Sequence, residues 1–266
     1  MTPNRIAVAA TAQFGADVLE RLARRHEIAY CLTRVDSARG RGRRVAASPA
    51  KATASTLGIR VRQPERLDGS FELQVDTVIV VAYGLLVPTE LLEQALWLNV
   101  HPSLLPRWRG AAPVERALLA GDTETGVTIH RTTAELDAGP IAAQRAFAIE
   151  PSDDAGAVYR RCADLAAGLL DDVLPDPVFR PQPEEGATYA AKLTAEDREL
   201  DWSRPPEELL NRIRALSPHI GARGELHGRR VTIWKARLEE GRLKPVEVQP
   251  EGRRRMSYAE FLRGVR

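Results

Sequence analysis

The chain has 266 residues, 44% of them hydrophobic and 28% charged, with a formal net charge of +2. That supplies a core for one large domain or two ordinary ones, while no apolar run approaches the ~18 residues needed to span a bilayer, which excludes a membrane-spanning helix. Cys31 and Cys162 lack any CxxC or Cys/His spacing, so neither a disulfide framework nor a zinc site is suggested, no metal is expected, and a reducing cytoplasm fits best.

In chain order, Arg5 followed by IAVAATA superficially resembles a secretory leader. The run leads straight into Phe14, Val18, Leu19 and Leu22 at helical spacing, so a first strand over 6–10 and then a helix are expected. A second strand falls at 28–32, and AATAQF between the first strand and helix lacks the glycines of a nucleotide-binding turn. Next comes RVDSARGRGRRVAASPAK, 34–51, where Arg39, Arg41, Arg43, Arg44 and Lys51 are spaced by Gly and small residues. Such a flexible cationic loop suits phosphates and base edges, though a plain solvated loop reads equally well. Residues 75–82, VDTVIVVA, read as a parallel strand covered on both faces. A short helix near Pro88, a strand over 97–100 and a helix near Pro113 follow.

Ser152 or Asp153 is placed to cap a long helix whose stripe is Val158, Cys162, Leu165, Leu169 and Val173. The segment LPDPVFRPQPEEGA, 174–187, reads as an interdomain linker. Beyond it lie a helix over 206–216 and a strand in RRVTIWKARL, as in a small β-rich module. Strands separated by helices in the first part imply a doubly wound α/β sheet, which binds ligands beyond its carboxyl strand ends. Up to residue 187 there are 21 Lys/Arg against 24 Asp/Glu, and 17 against 12 after it, or −3 and +5; a basic second part hints at an anionic partner.

The chemistry concentrates in NVHPSLLPRWRG, 99–110. Asn99 and His101 lie two residues apart on a strand and so share a face at its carboxyl end. An amide stabilises a developing oxyanion and a His moves protons, with a carboxylate such as Asp137 of DAGP to orient it. On residue types alone, a structural His beside a turn-forming Asp is the plainer alternative. His130, His219 and His227 lack matching partners and are expected to be structural.

LNVHPSLLPRWRGAAPVERALLAGDTETGVTIHRTTAELDAGPI, 98–141, resembles the signature region of the folate-dependent formyltransferases, and the loop at 34–51 with 187–218 and 253–264 resembles the branch that acts on tRNA. The resemblance implies a catalytic trio of Asn99, His101 and Asp137. It places a folate against Ser103, Leu104, Leu105 and Pro106. A folate needs a mostly apolar slot, for which Leu85 and Leu86 of AYGLLVP are expected as further walls, and Trp108 and Arg109 beside the site are expected to flank the entering ester or RNA end, with core or loop packing as the alternative for each. It implies a Rossmann-like, mostly parallel sheet in a catalytic domain over 1–185, then an OB-like barrel over 186–266 that binds tRNA with the five cations of the loop. The expected reaction moves a formyl group from 10-formyltetrahydrofolate to the α-amine of methionyl initiator tRNA, by a monomer, with a protonated His101 held charged by Asp137. The same chemistry on an amino-sugar nucleotide or purine precursor is the alternative. Two departures stand out: the family's GTPxF-like turn is replaced by Ala10 to Phe14, and the passage from Trp234 to Met256 is short.

Overall fold

The computed structural model describes residues 5–39 and 44–265. They form two compact units. One gathers the chain up to Arg109 with Gly126–Ala146 and Arg160–Thr188; the other gathers Gly110–Thr125, Phe147–Tyr159 and the chain from Tyr189 onward.

The first unit is built on a seven-stranded sheet in the order Ile141–Ala148, Glu124–Arg131, Leu96–His101, Thr77–Val81, Ile6–Ala10, Ile28–Leu32, Val61–Arg62. The last five run parallel, and Glu124–Arg131 pairs antiparallel with Leu96–His101. Strand order reverses between Ile6–Ala10 and Thr77–Val81, so the carboxyl ends at that junction are where an open sheet holds ligands. Ala7, Val8, Val78, Ile79 and Val81 are fully buried, as strands covered on both faces require. Burial of each Val or Ile side chain among them contributes about 1.5–3 kcal/mol. The leader-like run is thus a central strand, and the apolar run over 75–82 is a strand only at Thr77–Val81.

The turn without Gly or Pro has a local solution. Ala12 takes an extended conformation with no side-chain cap, and the helix Gln13–Ala23 begins directly after it. Gly15 is the residue that must be small: a Cβ there would lie 2.5 Å from the Val81 carbonyl oxygen and 2.7 Å from Ala10 Cβ.

In the basic stretch, Ser37–Arg39 and Arg44–Ala46 pair as an antiparallel hairpin with Arg39 opposite Arg44, while Arg41 and Arg43 lie outside the described residues. Lys51 sits in the helix Pro49–Thr56, capped by the Ser48 hydroxyl, and its Nζ is 2.6 Å from Asp36 Oδ2. Gln63 Nε2 donates to the other oxygen of the same carboxylate at 2.8 Å, so Lys51 is tied to the base of the hairpin.

The long helix runs Ala155–Val173, and its cap is neither Ser152 nor Asp153 but Asp154, whose Oδ1 accepts from Ala157 N at 2.8 Å. Asp153 instead accepts from Glu150 N in the turn before it. The segment 174–187 does not behave as a free linker. Arg180 exchanges both backbone hydrogen bonds with Ile141, and Gln182 and Thr188 bind other loops of the same unit. Its prolines forbid a continuous ladder, but one bridge and a few side-chain bonds need none.

In the second unit the helix Pro206–Leu216 packs on an antiparallel sheet of Ala222–Leu226, Arg229–Glu239, Arg242–Pro250 and Met256–Ser257. Leu209, Ile213, Leu216, Ile233, Val248 and Phe261 form its core. Ser257 and Glu260 close a capping box on the helix Tyr258–Arg263. Among the described residues, no helix is long and apolar enough to cross a membrane.

Candidate active site

The strand Leu96–His101 delivers Asn99 and His101 to one face at its carboxyl end, as the two-residue period requires. The antiparallel neighbour sets Asn99 directly opposite His130, and the loop after that neighbour brings in Asp137. Asn99 Nδ2 donates to Asp137 Oδ1 at 3.0 Å and to His130 Nε2 at 3.1 Å. The His130 Nε2 lone pair is thereby used, so its proton sits on Nδ1, which donates to the Arg131 carbonyl at 3.0 Å. His130 is therefore a hydrogen-bonded support for the Asn99 amide, in place of the partnerless histidine expected from sequence.

His101 is buried, and its Nε2 donates to the Trp108 carbonyl at 2.8 Å. Its Nδ1 faces Asp137 Oδ2 at 3.6 Å, beyond hydrogen-bond length. Burial is the largest influence on its pKa and lowers it; Asp137 pulls it up, His130 pushes it down, and the Trp108 carbonyl raises it. The net direction is down, so the resting imidazole is neutral at pH 7, in contrast to the charged His101 expected from sequence. Its contribution to stability is present above the ordinary histidine value near ~6.5 and is lost as pH falls through the lower folded pKa. Followed by NMR, the His101 ring titrates below that ordinary value, and Asp137→Asn moves the midpoint lower still; a midpoint above 7 contradicts a neutral resting imidazole.

The backbone around the trio is strained. Ala82, Trp108 and Asp137 all take positive φ, at 45°, 64° and 50°, and each such non-glycine residue costs about 1–3 kcal/mol.

The expected folate residues divide by exposure. Leu85 and Leu86 are 40% and 83% exposed on the loop that leaves Thr77–Val81, whose neighbour Leu96–His101 aligns Asn99 with Val80. Leu104 and Pro106 are half-buried. Ser103 and Leu105 turn inward: Ser103 Oγ donates to the Arg107 carbonyl, and Thr128 Oγ1 accepts from Leu105 N while donating to the Ser103 carbonyl. Gln144 Nε2 bonds both Thr128 Oγ1 and the Leu105 carbonyl, which completes the framework of this loop. Arg109 is 3% exposed and bonded to Gln182, so its guanidinium is internal rather than flanking an incoming RNA. Trp108 is half-buried, with the Arg107 guanidinium over its ring. The described residues hold no cluster of His, Cys, Asp and Glu suited to a metal ion.

Residues 4–174 match the formyl transferase family model, and 192–245 match the formyl transferase C-terminal domain. The chain is 40% identical, over 98% of its own length and 97% of the relative's, to methionyl-tRNA formyltransferase of Paracoccus denitrificans. Its fold is similar to that of methionyl-tRNA formyltransferase from Clostridium thermocellum, with TM-score 0.69 at 16% identity, covering 93% of this chain and 98% of that one. It is similar also to an N-formyltransferase from Helicobacter canadensis solved with folinic acid and dTDP-3-aminofucose, with TM-score 0.67 at 18% identity, covering 89% and 88%. At such identities these two structures speak for the fold alone.

Proposed function

The chain belongs to the formyl transferase family, and from that membership we propose that it transfers a formyl group from 10-formyltetrahydrofolate to the α-amine of methionyl initiator tRNA. The acceptor rests on one observation, the likeness over nearly the whole chain to an enzyme named for that substrate. The trio by itself would serve any primary amine. The basic hairpin around Arg39 and Arg44, with Arg41 and Arg43 between them, and the second domain over 186–266 are the parts read as holding the RNA. Lys51 braces that hairpin through Asp36. Asn99, His101 and Asp137 all come from one compact unit, which supports action as a monomer, in the cytoplasm where translation takes place.

The folate donor supplies a one-carbon unit at the formyl level of oxidation. Leu85, Leu86, Leu104 and Pro106 offer it a partly exposed apolar wall, the chemistry a flat ring requires. The amine nitrogen bonds to the formyl carbon, the bond from that carbon to N10 breaks, and the amine's proton passes to N10. While negative charge gathers on the formyl oxygen, the Asn99 amide, held at rest by Asp137 and His130, turns as a whole to donate to it. The free Nδ1 of the neutral ring takes the amine's proton, the Asp137 carboxylate beside it at 3.6 Å stabilises the ring while it is charged, and the proton then passes to N10. Nε2 keeps its own proton on the Trp108 carbonyl throughout.

The test is to incubate the protein with 10-formyltetrahydrofolate and methionyl initiator tRNA, with free methionine and an amino-sugar nucleotide as controls. Formylation of the tRNA alone is expected; formylation of the sugar nucleotide alone overturns the assignment.

A further inference from the structure

The proline-rich segment read from sequence as a linker carries Gln182, and every hydrogen-bonding capacity of that side chain is used at the site. Gln182 Nε2 donates to the carbonyl of Asp137 at 2.8 Å and to that of Gly139 at 2.7 Å. Its Oε1 accepts from Arg109 Nε at 3.1 Å and from Arg109 Nη2 at 2.8 Å. The guanidinium thus fixes which end of the amide faces the loop, since a guanidinium donates and never accepts. Arg109 in turn follows Trp108 directly, and the Trp108 carbonyl is the group that holds His101 Nε2. The segment is anchored at both ends: Arg180 pairs with Ile141, and Thr188 accepts from Trp108 N through Oγ1 and from Arg109 N through its carbonyl.

We propose that Gln182, oriented by Arg109, is a positioning residue that holds Asp137 in its left-handed backbone conformation and so sets the distance between the Asp137 carboxylate and His101. The inference rests on the formyl-transfer reading. A non-glycine residue at φ 50° persists only where its surroundings over-determine it, and the two carbonyls that Gln182 grips bracket the turn. Without the grip, Asp137 relaxes and its carboxylate leaves the reach of both Asn99 and His101. A misplacement on the order of 1 Å in such a site costs roughly 10²-fold in rate.

Gln182→Glu is the discriminating variant. A carboxylate still accepts from Arg109 but cannot donate, and it sets acceptor against acceptor at the Asp137 and Gly139 carbonyls. The expected result is a fall in kcat of about 10- to 100-fold with KM for both substrates within about 3-fold of wild type. Gln182→Met, neutral and of similar length, is expected to show the same split, and in its NMR titration the His101 midpoint moves down because the Asp137 carboxylate has withdrawn. Gln182→Glu turning over within 2-fold of wild type would mean that the residue merely packs Arg109, and would overturn the proposal; so would a loss confined to KM, or an unmoved His101 midpoint in Gln182→Met. Should Gln182→Met fail to fold, Gln182→Glu alone decides. Absence of formyl transfer by the wild-type protein defeats the functional reading instead, and the two failures are told apart by that control.

Discussion

His101→Ala and Asn99→Ala each lower kcat for formylation of charged tRNA by at least ~10²- to 10³-fold. The two losses have different physical origins. Asn99→Ala removes the donor for the formyl oxygen and also leaves His130 Nε2 and Asp137 Oδ1 without the amide that joins them. His101→Ala removes the proton acceptor at Nδ1 and frees the Trp108 carbonyl, yet keeps the Asn99–Asp137 bond. Because both act on the reacting atoms, kcat should fall far more than substrate affinity does. Purified variants that turn over near normally would refute the assignment of either residue.

Gly139→Ala is expected to destabilise the fold by about 3 kcal/mol or more and to abolish most activity with it. A Cβ at this position would stand 1.8 Å from the Arg131 carbonyl oxygen, a contact no side-chain adjustment relieves because both partners are backbone. The neighbouring residues, Arg131 N and the Pro140 carbonyl, are hydrogen-bonded at 2.9 Å, so the two arms cannot separate without opening the hairpin that presents Asp137. Thermal unfolding is the direct measurement. A variant melting within a degree or two of wild type would show that the arms have room to spare.

Much of the site was legible because it depends on the period of a strand. Asn99 and His101 share a face whichever sheet they join, and an apolar run ending in NVHP announces a strand end with chemistry on it. His130 was not legible. It works because it stands opposite Asn99 in a ladder, and register is a tertiary property that no single strand declares. The one available signal was the alternation in TGVTIHR, which turns Thr128 and His130 to the same face. Residue chemistry offers Asp137 of DAGP only as a carboxylate able to orient a His, and the resemblance assigns it to the trio, since a separation of 38 positions carries no distance information. Gln182 is hidden for the opposite reason: composition rich in proline reads as free chain, while bonds between individual side chains and carbonyls leave no periodic trace. The helix cap moved from Ser152 or Asp153 to Asp154, a shift of the size that neighbouring capping residues always permit.

Gly15 carries a consequence for how the molecule is made. Its Cα lies where a side chain would strike both Ala10 and the carbonyl of Val81, so the first helix is seated against two strand ends separated by some seventy positions of chain. During synthesis the leading strand and helix emerge early, but one wall of that seat is not yet there. Until the ribosome has delivered Val81 clear of its exit tunnel, the seat of the N-terminal helix lacks one wall, and part of the face that carries Phe14, Val18, Leu19 and Leu22 waits uncovered.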